Sequence, residues 1–174
     1  MNTQSYIDYF KDLCGKHATL QHNDTSGGRV FAVIGQDEAV GDLRTGGDTE
    51  GWIFRLVVPQ WGLDDTDDGR AHKEWLGGFI IARFHSQREE DSADKFLILD
   101  QCDAMGEGFA NRMLRDCEEG HPLFNYSIRT FRDMRFKALP KMNLPQGYVG
   151  RLFTFSFRNE AKKRCITTNW LDSK

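Results

Sequence analysis

The sequence predicts an α+β domain: a mainly antiparallel sheet of about five strands, with an N-terminal helix and one long amphipathic helix packed on one face. Three observations lead there. Two stretches, 3–14 and 92–117, carry apolar residues at steps of three and four; several others are β-type runs or alternate with a period of two; and the order is helix, strands, helix, strands, which segregates the two kinds of element.

The opening stretch TQSYIDYFKDLC places Tyr6, Ile7, Phe10, Leu13 and Cys14 on one helical face, with Thr3 as N-cap and Gly15 just past the end. Residues 18–21 have the pattern of a short strand, 23–28 that of a turn, and RVFAVI at 29–34 that of a strand, which together predict an early hairpin. WIFRLVV at 52–58 sets Trp52, Phe54, Leu56 and Val58 on one face until Pro59 interrupts it. GGFIIARF at 77–84 is apolar on both faces, as a strand covered on both sides requires. The stretches 35–51 and 62–77 are expected to be long loops.

Between Ser92 and Cys117 the residues Ile98, Cys102, Met105, Phe109 and Met113 form a helical stripe, widened by Leu99, Ala110 and Leu114. Gly106 and Gly108 interrupt it, so either the helix bends here or another backbone passes close, and close packing over a sheet is expected. EEGH at 118–121 and Pro122 end the helix. Two long strands follow, about 126–139 and 147–158, joined by PKMNLPQG; in the second, Val149, Phe153, Phe155 and Phe157 alternate with Gly150, Leu152, Thr154 and Ser156.

With 174 residues, 39% of them hydrophobic, and 13 Phe, the chain has enough apolar material for one packed core, so residues 1–174 are expected to form a single domain, with 159–174 as an extended C-terminal arm. No apolar run reaches the roughly 20 residues of a membrane span and the start is polar, so a soluble, cytoplasmic protein is expected. Cys14, Cys102, Cys117 and Cys165 form no CxxC pair, which points to reduced thiols rather than a zinc ribbon or a disulfide framework.

Signals of catalysis are sparse. Asp64, Asp65, Asp67 and Asp68 ahead of Gly69 are the densest acidic cluster, yet an EF-hand register fails because Thr66 falls at position three and Trp75 at position twelve, so a solvated turn competes with a cation loop. His17, His22, His72, His85 and His121 include no HxH or HExxH; His85, at a strand end, is the best acid or base candidate, against a hydrogen-bonded structural histidine. Cys102 sits on the apolar stripe as an inert buried thiol would. No GK[ST] or GxGxxG cradle is present, so no nucleotide or other cofactor is expected.

Charge is distributed unevenly. Residues 1–120 carry 12 Lys plus Arg against 23 Asp plus Glu, whereas 121–174 carry 11 against 3. Arg129, Arg132, Arg135, Lys137, Arg151 and Arg158 fall on the last two strands, and KKR at 162–164 leads the tail. Three uses are open: pairing within the chain, binding nucleic acid through the basic strands, or pairing an acidic surface with a basic one on a neighbour, head to tail. Apolar residues in the long loops and tail, Val40, Leu43, Trp61, Leu63, Ile166, Trp170 and Leu171, suit the last. The expected interface set is therefore Arg129, Arg132, Arg135, Arg151, Arg158, Trp61 and Trp170.

The helix SYIDYFKDLC, the strands RVFAVI, WIFRLVV and GGFIIARF, the helix around CDAMGEGFANRML and the closing hairpin ending GYVGRLFTFSFRN make an order that resembles the small tail terminator and tail completion proteins of long-tailed bacteriophages and phage-derived elements. The resemblance implies a non-enzymatic α+β protein that forms a ring, usually a hexamer, capping a tail tube, with homo-oligomeric or tail-protein partners and a virion-associated location. The alternatives are a ligand-binding or hydrolytic domain using His85 with loop carboxylates, and a nucleic-acid-binding module using the basic strands. The order is also similar to the dimeric chaperones of type III secretion, but the basic final third argues against that group.

Overall fold

The computed structural model describes residues 3–22, 30–35, 51–65, 71–85, 92–124, 135–138 and 147–160. Helix α1 spans Thr3–Lys16 and buries Tyr6, Tyr9, Phe10, Leu13 and Cys14, a stripe at steps of three, one, three and one that faces the core. It runs through Gly15, and Gln21 adopts a left-handed backbone (φ 43°) as the chain turns away.

The strands are β1 (Phe31–Ile34), β2 (Trp52–Asp65), β3 (Ala71–Phe84), β4 (Arg135–Ala138) and β5 (Tyr148–Glu160), and they lie in the order β1-β2-β3-β5-β4. All neighbours are antiparallel except β1 and β2, which run parallel with Phe31 beside Phe54 and Ile34 beside Val57. The expected five-stranded, mainly antiparallel sheet is thus present, but the early hairpin is not. Residues 18–20 form a turn, and β1 pairs onward in the chain. A parallel neighbour needs a crossover of about a dozen or more residues, a length that the stretch between Ile34 and Trp52 supplies.

A second correction concerns the expected loop at 62–77. Both flanking strands continue into it, with Trp61 paired to Trp75, Gly62 to Glu74 and Asp65 to Ala71, so β2 and β3 form one long hairpin. Pro59 does not end β2. Val58 and Pro59 together oppose Gly77, between the pairs Val57 with Gly78 and Gln60 with Leu76, in a bulge. A bulge tolerates a residue without an N–H donor, and the strand resumes beyond it.

Helix α2 spans Ser92–Glu118 and buries Ile98, Leu99, Cys102, Met105, Phe109, Met113 and Cys117. It ends where Gly120 turns left-handed (φ 77°), the His121 amide donating to the Asp116 carbonyl (2.8 Å) and the Gly120 amide to that of Cys117 (3.3 Å), a Schellman closure. A short 3-10 turn at Pro122–Phe124 follows and buries Leu123 and Phe124.

Both helices contribute to one core with the sheet face that carries Phe54, Leu56, Phe79, Ile81, Phe153 and Phe155. Aromatic rings dominate it: Phe54 lies 4.9 Å from Phe79 and 5.0 Å from Phe109, and Phe79 lies 5.3 Å from Phe153. On the opposite face Ile34, Ile53, Ile80 and Ala82 form a second buried cluster. Arg55, only 1% exposed, shares that face and donates from Nη1 to the carbonyls of Val30 (3.0 Å) and Phe54 (3.2 Å).

Candidate interaction surface

Beyond the bulge, β2 and β3 run on as an arm along which β5 stays paired to β3 as far as His72, and Trp75 there still reaches the core. There the alternation of a strand exposes an apolar residue on each face: Trp61, 57% exposed, lies opposite Trp75, and Leu76, 47% exposed, lies opposite Gln60. Val58 in the bulge is exposed as well. Large aromatic and aliphatic side chains held by paired strands lose little conformational freedom on docking, which suits contact with another molecule.

The first turns of α2 add a second apolar exposure. Phe96 is 65% exposed and Leu97 is also exposed, outside the stripe that begins at Ile98. Periodicity does not mark this pair, because a helical stripe identifies the buried side alone.

Of the expected interface residues, Trp61 is on the arm. Arg151 is placed differently. Its Nη2 donates to Asp103 Oδ2 of α2 at 3.1 Å, and the side chains are 23% and 37% exposed, so this arginine is tied to a carboxylate of its own chain. Arg158 stands opposite Glu74 in the β3–β5 register, and Arg135 opposite Ser156 in the β4–β5 register. Arg129, Arg132, Trp170 and the arm expected at 159–174 beyond Glu160 lie outside the described residues, as do Val40, Leu43, Ile166 and Leu171.

Asp64 and Asp65 are strand residues of β2, paired with His72 and Ala71, while Asp67 and Asp68 lie outside the described residues. Among the described residues no group of three or more His, Cys, Asp or Glu could hold a metal ion.

His85 is buried just after β3. Its backbone N–H donates to the Gly147 carbonyl at 2.6 Å, and its Nε2 has no hydrogen-bond partner among the described residues. Cys14, Cys102 and Cys117 are buried free thiols. Burial pushes all three above the ordinary thiol range, Cys102 up to about 12, where its Sγ donates to the Ile81 carbonyl at 3.4 Å. A nucleophilic cysteine needs the opposite shift. Among the described residues no helix is long and apolar enough to cross a membrane.

No protein-family model matches this chain, and no curated protein sequence does either. The surface must therefore be read from its own chemistry.

Proposed function

We propose that this protein is a non-enzymatic assembly component that docks on neighbouring subunits through the β2–β3 arm, a ring-forming element of the phage-tail terminator or completion kind. The observation that carries this reading is the pair Trp61 and Leu76, exposed on opposite faces of an arm in which β5 flanks the β2–β3 hairpin. An arm that is apolar on both faces can be gripped from two sides, as an element inserted between neighbours is. The opposite charge of the first 120 and last 54 residues supplies long-range orientation, while the Arg151–Asp103 pair means that part of the basic charge serves within the chain. The element order that resembles tail terminators names the kind of assembly.

Native mass spectrometry and light scattering across a concentration series test this. Oligomers that dissociate in Trp61→Ser and in Leu76→Ser, with thermal midpoints unchanged, are the expected result. A wild-type chain that stays monomeric at all concentrations, alone and with tail-tube protein, would remove the reading.

A further inference from the structure

The last turn of α1 and the middle of α2 enclose an open pocket of about 170 Å³, lined by Leu13, Lys16, His17, Gly108, Phe109 and Arg112. Its walls are apolar and flat. Leu13 and Phe109 are buried, and the His17 ring lies parallel to that of Phe109, with centroids 5.5 Å apart and planes 10° from parallel. The Thr19 amide donates to His17 Nδ1 at 3.2 Å, which makes that nitrogen an acceptor and the imidazole neutral. Gly108 makes the notch: a Cβ built on it meets nothing within 4 Å.

The rim is cationic, and Arg112 is held in place. Its Nε donates to Asp116 Oδ1 at 2.8 Å, and Asp116 Oδ2 accepts from the Tyr9 hydroxyl at 2.9 Å. Asp116 is only 3% exposed and Tyr9 is buried, so the carboxylate is fully engaged behind the arginine. The guanidinium is thus fixed through one edge, while its two Nη groups donate to nothing else among the described residues. Lys16 makes one ion pair, with Asp12 a turn back at 2.6 Å, in which both side chains are more than half exposed; such a pair yields readily to a better acceptor. The carbonyls at the end of α1 do not compete for a ligand's place, since those of Cys14 and His17 accept from the amides of His22 (3.2 Å) and Gln21 (2.9 Å).

We propose that this pocket is a binding site for a small aryl carboxylate, its ring against Leu13 and the His17–Phe109 pair and its carboxylate received by the Arg112 Nη groups and Lys16. Planar bidentate recognition by arginine supplies the orientation. The volume falls below the roughly 300–1,000 Å³ of drug-sized sites, which limits the ligand to one ring and its acid group. This site lies apart from the β2–β3 arm and does not depend on the assembly reading.

Titration of the full chain by NMR or calorimetry with benzoate, benzamide and acetate tests it. Benzoate should saturate a single site with a Kd on the order of 1 mM, and the neutral amide and the ringless acid should each bind at least about tenfold more weakly. Arg112→Gln should weaken benzoate about tenfold. Gly108→Leu, which alters no charge and meets no neighbour at its Cβ, should abolish binding without lowering the thermal midpoint. Absence of saturation with benzoate, equal binding of benzamide or acetate, or undiminished binding to Gly108→Leu would each overturn the proposal.

Discussion

Phe153 of β5 stands directly on Gly106 of α2, so closely that a Cβ built at that glycine would overlap the phenyl ring. The ring cannot swing clear, because it is itself buried and packed 5.3 Å from Phe79. Gly106 is therefore a point of close approach between helix and sheet.

Two glycines two residues apart, on roughly opposite sides of the helix, should then respond to alanine with opposite signs. Gly106→Ala gains about 1 kcal/mol of helix propensity but overpacks the Phe153 contact, and a net loss of roughly 1–2 kcal/mol is expected. Gly108→Ala, whose Cβ meets no atom, should gain up to about 1 kcal/mol. Urea denaturation of the two variants checks both signs, and stabilisation by both would show that the helix does not rest on Phe153.

Tyr9 and Asp116, 107 positions apart in the chain, share a buried hydrogen bond that ties α1 to the end of α2. Tyr9→Phe leaves one carboxylate oxygen of Asp116 without its donor in a buried setting, and should lower stability by about 1–2 kcal/mol. Thermal unfolding of this variant measures it.

Stability should also fall in alkali. Burial raises the Tyr6 and Tyr9 hydroxyls and the Cys14 and Cys102 thiols above their ordinary values. Below the unfolded-state values, about 8.5 for a thiol and 10 for tyrosine, both states keep these protons and the contribution is complete. Above them the unfolded chain alone ionises, and each group removes about 1.4 kcal/mol per pH unit until its folded value is reached. Denaturation followed from pH 8 to 11 should show this slope, shallower above pH 10 in Tyr9→Phe. Alkylation of Cys102 should stay slow over the same range while the protein remains folded.

The Arg151–Asp103 pair joins β5 to α2 within one chain. Asp103→Asn should cost about 1 kcal/mol of unfolding free energy, and a double-mutant cycle with Arg151→Gln should give a coupling of roughly 0.5–1 kcal/mol. Unchanged stability in Asp103→Asn would return Arg151 to the set of residues free to meet a neighbour.

Much of the fold is written in local pattern. The stripes of α1 and α2 and the alternation of Phe153 and Phe155 in β5 are legible because each buried residue repeats at the period of its own element. The outer hairpin is not, since the bulge at Val58 and Pro59 shifts the register and the sequence beyond it is mostly polar; Trp75 still reaches the core, and backbone pairing, which any residue can make, carries the strands on. The binding features are hidden for a different reason. Trp61 was visible as an apolar residue among polar ones, but the pocket joins Lys16 and His17 to Gly108 and Arg112 across most of a hundred positions.

By itself the sequence determined the fold class, the two helices and the core face of the closing strand, because each follows from periodicity. Only the tertiary structure decided that β1 runs parallel to β2, that Arg151 answers to Asp103, and that Tyr9 and Asp116 together aim Arg112. Those relations depend on which distant segments become neighbours, and chain distance carries no record of it.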